Sequence, residues 1–149
     1  MTEFSRDTYV AAGPHEAAQL VQDAADSSIS AVMKSDDRTA VLAEAFGRLP
    51  KIFLPDAATG VRAVVHWTIT GAPAGPETYE MLIEDGACAV SGTPAREPKV
   101  VMTMDPVTFL KVISGDGNPM KMFMMGKIKA KGDLGLAANV AKYFDIPRT

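Results

Sequence analysis

Residues 118–144 read NPMKMFMMGKIKAKGDLGLAANVAKYF, and their apolar period changes twice. Between positions 120 and 125, four of the chain's nine methionines surround Phe123, and Lys121 is the single polar side chain. Asn118–Pro119 pairs a capping side chain with proline at the first helical position, so a short helix is predicted to start there. Gly126 can adopt the left-handed conformation that closes it. From Lys127 the period falls to two. Ile128 and Ala130 point one way and Lys127, Lys129 and Lys131 the other, as in a half-buried strand. Asp133 then caps a last helix over 134–145, in which Leu136, Ala137, Val140, Ala141 and Phe144 share a face before Pro147.

The methionine helix is apolar nearly all round. A single sheet face cannot cover both its sides, so it needs a second apolar neighbour. Two readings stand. The thioethers fill irregular core gaps beneath the last helix and a 38–53 helix, or they wall a cavity flexible enough for guests of different shape.

Working upstream, KVVMTM (99–104) places Val100, Met102 and Met104 on one strand face, and Asp105–Pro106 repeats the cap-then-proline start for a helix carrying Phe109 and Ile113. VRAVVHWTIT (61–70) alternates Val61, Ala63, Val65, Trp67 and Ile69 with Arg62, His66, Thr68 and Thr70. Tyr79, Met81 and Ile83 alternate with Thr78, Glu80 and Glu84, and Asp85–Gly86 signals a hairpin into ACAVS. Near the start, Pro14 and the spacing of Ala18, Val21, Ala25, Ile29 and Val32 predict one amphipathic helix over 14–34. Asp36 and Asp37 are placed to cap a second helix whose apolar face runs from Val41 through Phe46 to Phe53, with Pro55 ending it. The expected fold is α/β, with a five-stranded sheet that has one wet face.

The 149 residues, 47% hydrophobic and 22% charged, suit one domain, and a net charge of −3 gives no global attraction for nucleic acid. A single cysteine, Cys88, excludes an internal disulfide, and no Cys/His spacing calls for a metal or another cofactor. The N-terminus lacks a secretion pattern, no stretch of ~18 apolar residues occurs to span a bilayer, and the ending PRT is not the peroxisomal tripeptide. Cytoplasm is therefore the expected compartment.

The run 118–144 resembles the C-terminal segment of the sterol carrier protein 2 family, in which a proline-started helix, a glycine and a GK-x-K-x-x-GD strand precede the last helix. VVHWTITG (64–71), YEMLIEDG (79–86) and VVMTMDPVTFLKVISG (100–115) stand in the family's order, so the likeness covers roughly 39–145. It implies a mostly antiparallel sheet covered on one face by helices, with an apolar tunnel for sterols, fatty acids or fatty acyl-CoA and no catalytic apparatus. It also implies a lipid-binding domain over 38–149 behind an N-terminal helical extension, 1–37. Position by position, Met120, Phe123, Met124 and Gly126 match the pocket helix, Phe109 and Ile113 the preceding helix, and Leu136, Val140 and Phe144 the lid-like last helix. Phe46, Trp67, Met81 and Met104, facing inward, complete the expected lining.

Other chemistry is sparse. His15 and His66 read as surface residues and Cys88 as a small buried hydrophobe, while Asp105 and Asp133 are engaged as caps, so no acid–base pair is evident. GDG at 115–117 reads as a turn. The three strand lysines read either as a solvated edge that resists aggregation or as a site for transient contact with anionic headgroups or an acidic partner. The N-terminal helix is expected to fold over the tunnel mouth, to form a homodimer, or to pack on the domain edge. Carriage of a hydrophobic ligand is the leading function. The alternatives are a module presenting such a metabolite to a lipid-processing enzyme, and a small enzyme using the same cavity.

Overall fold

A computed structural model describes residues 4–72, 75–116 and 119–146. Four helices lead the chain: α1 (Arg6–Ala11), α2 (Pro14–Asp23), α3 (Asp26–Met33) and α4 (Arg38–Arg48). Strands β1 (Ala63–Ile69), β2 (Glu77–Glu84), β3 (Ala87–Ser91) and β4 (Val100–Met104) follow, then α5 (Pro106–Ser114), α6 (Pro119–Met124), β5 (Lys129–Gly132) and α7 (Leu134–Asn139). The sheet order is β3-β2-β1-β4-β5, with β1 and β4 parallel and every other pair antiparallel. This is the five-stranded α/β sheet that the periods predict, with the mostly antiparallel pairing that the resemblance implies.

Alternation decides which face is buried. Ala63, Val65, Trp67 and Ile69 of β1 are buried, and the register sets Tyr79, Trp67, Met102 and Ala130 in one row beneath the helices. Two of the expected caps form: the Asp105 carboxylate accepts from Thr108 N at 2.7 Å ahead of Pro106, and Asp133 accepts from Leu136 N at 3.0 Å at the start of α7, while the expected cap Asn118 lies outside the described residues. The β5 exit demands glycine. Gly132 has φ +116°, and a Cβ there would overlap the Lys99 carbonyl oxygen, the same atom that accepts from Asp133 N at 2.8 Å.

Several sequence expectations are corrected. The segment 14–34 is two helices, because Ala24 and Ala25 turn extended (ψ 144° and 146°) so that α2 and α3 can both follow α5. Asp36 and Asp37 make no side-chain cap on α4, whose N-cap residue Asp37 already lies in the helical region. The helix expected over 38–53 tightens into a 3₁₀ turn from Leu49 to Ile52, and the last helix does the same from Val140 to Tyr143. Glu80, read as an outward residue, is buried: its carboxylate accepts from the backbone N–H groups of Ala95 and Arg96 at 3.0 and 2.7 Å, and from the Arg96 guanidinium at 3.0 Å. His66 is not a free surface group either, since its Nε2 stands 3.1 Å from Glu80.

The N-terminal helices lie against α4 and α5. Arg48, 8% exposed, donates through Nη2 to the carbonyls of Tyr9 (2.7 Å) and Ala12 (2.8 Å), with its guanidinium 4.5 Å above the Tyr9 ring. Gln22 Nε2 donates to Ser114 O at 2.8 Å, and Lys111 pairs with Asp26 at 2.6 Å. These ties hold α1 to α4, and α2 and α3 to α5.

Candidate ligand-binding site

Between sheet and helices the expected lining residues meet one another. Phe46 of α4 is stacked on Tyr79 and Phe109, with ring centroids at 4.0 and 4.4 Å, and Trp67 meets Phe46 and Phe109 edge-on at 6.5 and 5.6 Å. Met81 and Met104 are buried in the same core. Such a cluster combines area burial with favourable ring geometry, so it is firm wall. The Trp67 indole N–H is buried in it without an acceptor among the described residues. Leu136, Val140 and Phe144 are buried at the C-terminal end, where Phe144 pairs with Phe53 at a centroid distance of 5.7 Å. Ile113 is half-buried and borders a 50 Å³ pocket with Tyr9, Ala45 and Arg48.

Open space lies beside this core, where α3, α5 and α6 leave a groove of 440 Å³. Met33, Pro106, Val107 and Met122 supply its apolar surface. Its polar lining comprises Asp26, Ser27, Ser30, Lys34, Arg38, Asp105, Thr108, Lys111 and Lys127, with Gly71 at the end near β1. Each wall has a local cause. Pro106 and the Asp105 cap fix the start of α5, and the Asp26–Lys111 pair sets α3 against it. Arg38 is held by Glu77 at 2.7 Å and by the carbonyls of Ile69 (3.3 Å) and Thr70 (3.0 Å). Lys34 and Lys127, in contrast, form no ion pair with a described residue.

Helix α6 buries none of its residues. Met122 faces the groove, while Met120, Phe123 and Met124 stand 54, 37 and 80% exposed, followed by Met125 at 59%. None of the residues expected to line the site borders this groove: Met120, Phe123 and Met124 stand exposed, Ile113 borders the smaller pocket, and the aromatic and C-terminal residues are packed in the core. The contribution of α3, from Asp26, Ser27, Ser30 and Met33, with Lys34 just after it, was not among the sequence expectations. Met33, a lone methionine at a core-facing helix position, was its only signal.

The opposite sheet face holds a different constellation. Two backbone N–H groups, chiefly that of Arg96, together with His66 and the Arg96 side chain, hold the Glu80 carboxyl well below its usual range, at about 2. This clamps the loop after β3 to the sheet. On the core-facing side of β3, beside the buried Ile83, burial pushes the Cys88 thiol up to about 12, which keeps it protonated. Among the described residues no group of three or more His, Cys, Asp or Glu is placed to hold a metal, and no helix is long and apolar enough to cross a membrane.

Residues 44–145 match the model of the SCP-2 sterol transfer family. The chain belongs to this family. Hydroxysteroid dehydrogenase-like protein 2 of Xenopus tropicalis is 32% identical over 110 residues, which are 73% of this chain and 26% of that protein. The chain thus spans about a quarter of the length of the curated relatives it matches. Among solved structures, the sterol carrier protein domain 2 of Helicoverpa armigera is 27% identical with a TM-score of 0.50, over 58% of this chain and 69% of that one. Apo sterol carrier protein 2 of Yarrowia lipolytica has a TM-score of 0.55 at 18% identity, over 74% of this chain and 93% of that one, a likeness of fold. The SCP-2 match begins at residue 44, so α3 and its share of the groove lie outside it.

Proposed function

We propose that this SCP-2 domain binds and carries a hydrophobic ligand, a sterol, fatty acid or fatty acyl-CoA, without transforming it, and that the ligand's apolar part lies in the groove between α3, α5 and α6. The observation carrying this reading is the 440 Å³ groove with Met33, Val107 and Met122 along it, in a chain of the SCP-2 family. That volume falls within the range of small-molecule sites, roughly 300–1,000 Å³. In this reading residues 38–149 are the lipid-binding unit, and the extension 1–37 lends it a wall.

Magnitudes decide how the site must work. A sixteen-carbon chain gains about 12 kcal/mol when fully buried, and about half of that in an open groove. Micromolar affinity needs about 8 kcal/mol, before the ordering costs of binding. The groove alone falls short. In the proposal α6 closes over the bound chain, so that side chains such as Phe123 and Met124 add the missing contact. A six-residue helix with no buried side chain moves at little cost in core packing.

The test is native mass spectrometry of the purified protein before and after solvent extraction, followed by titration with a fluorescent stearate. A lipid-sized adduct that extraction removes, and one-to-one micromolar probe binding, are expected. Absence of both overturns the proposal.

A second reading rests on the relatives. They are named hydroxysteroid dehydrogenase-like protein 2 and are about four times longer than the matched region. In it the domain holds a hydrophobic metabolite for a separate or fused enzyme, and cross-linking in cell extract that recovers an oxidoreductase in a ligand-dependent manner supports it.

A further inference from the structure

The groove between α3, α5 and α6 carries more charge than an apolar ligand needs. Four cations border it, Lys34, Arg38, Lys111 and Lys127, together with two acids, Asp26 and Asp105. Most of these charges are answered. Arg38 pairs with Glu77 at 2.7 Å and Lys111 with Asp26 at 2.6 Å, and the Asp105 carboxylate accepts from the N–H of Thr108 at 2.7 Å. Lys34 and Lys127 remain, both exposed and in no ion pair with a described residue. Their placement is matched. Lys34 follows Met33 at the end of α3, and its N–H donates to the carbonyl of Ser30, another groove residue, at 3.0 Å. Lys127 follows α6, and its N–H donates to the Met122 carbonyl at 2.9 Å. Each flanking helix therefore brings one methionine and one unopposed ammonium group to the same space.

We infer that Lys34 and Lys127 are specificity-determining residues that select an anionic single-chain amphiphile, a carboxylate or phosphate head on an acyl chain, over a neutral sterol. The inference rests on the carrier reading and narrows its ligand class. A neutral lipid laid across two unpaired ammonium groups strips their water and returns nothing, whereas an anionic head replaces that water with charge-assisted hydrogen bonds. The acyl chain then runs along Met33, Val107 and Met122. A head that bridges the two lysines ties α6 to α3, so the ligand binds the closed groove better than the open one and draws it shut. Lys34 precedes residues 44–145, the span matched to the family, so one of the two contacts comes from this chain's own N-terminal segment.

The test is direct equilibrium binding of radiolabelled palmitate, hexadecyl phosphate, hexadecanol and cholesterol to the full chain. The first three share a chain length and differ in the head. An exposed lysine–anion contact is worth about three- to fivefold, so the better anionic ligand should bind about 10- to 25-fold more tightly than hexadecanol or cholesterol. Whichever of palmitate and hexadecyl phosphate binds more tightly identifies the head as carboxylate or phosphate. Lys34→Gln combined with Lys127→Gln should erase that preference while leaving hexadecanol binding within about twofold and the melting temperature unchanged, because both side chains are exposed. Lys129→Gln, exposed on the sheet face away from the helices, should change none of the affinities. Hexadecanol that binds as tightly as both anionic ligands, or a double variant that keeps the wild-type preference, overturns the inference and leaves the carrier reading intact. Failure of all four lipids to bind overturns the carrier reading and this inference with it.

Discussion

Filling the groove from α3 separates ligand binding from stability. Ser30 lines the groove, is half-buried and uses its side chain in no hydrogen bond with a described residue. Ser30→Trp projects an indole into the 440 Å³ space without displacing packed protein. If the indole excludes about three to five methylenes of a bound chain, at about 0.8 kcal/mol each, the loss is about 2.4–4 kcal/mol. That corresponds to a dissociation constant weakened roughly 50- to 1,000-fold. Stability should move by no more than about 0.5 kcal/mol, as for other substitutions that face open space. Ala31→Trp serves as the control, because Ala31 is exposed on the same helix and does not line the groove. Competition titrations with a fluorescent stearate, beside urea melts of each variant, measure both quantities. Equal affinities for Ser30→Trp and Ala31→Trp, with both proteins folded, refute the placement of the ligand.

Three further outcomes test the frame around the site. Phe46→Ala removes the ring stacked between Tyr79 and Phe109, and urea denaturation should show a loss of about 3–5 kcal/mol; a loss under about 1 kcal/mol would show that the cluster is loosely packed. Gly132→Ala should cost about 2 kcal/mol or more, from the positive φ and the overlap with Lys99 O, and an unchanged melt would contradict the β4–β5 geometry. The Glu80 carboxyl is held at about 2 against an ordinary 4.5, so the unfolded chain takes up a proton that the native state refuses. Its stabilising contribution is complete above about pH 4.5 and fades as pH falls toward 2. Denaturant midpoints at pH 6 and pH 3 should therefore differ more in the wild type than in Glu80→Gln, and identical pH responses would remove Glu80 from the clamp.

The strands were legible because burial on one face imposes a period of two, and β1 alternates without a fault from Ala63 to Ile69. The caps at Asp105 and Asp133 were legible because an acid before a helix satisfies orphan N–H groups locally. The break at Ala24–Ala25 was not, since neither glycine nor proline marks it and only packing along α5 requires it. Glu80 alternates outward as the pattern says, yet a loop 15 residues downstream covers it, a contact that no local period encodes. The methionine run shows the same division. Its apolar character is plain in the sequence, whereas its exposure depends on which distant elements fail to cover it.

Methyl NMR of protein labelled at its nine methionines, titrated with palmitate, locates the ligand against the groove. The Met33 and Met122 methyls should shift first and most, with those of Met120 and Met124 following as α6 closes, while the buried Met81 and Met104 change little. Saturable shifts confined to Met81, Met102 and Met104, or no shifts at any methionine, would contradict it.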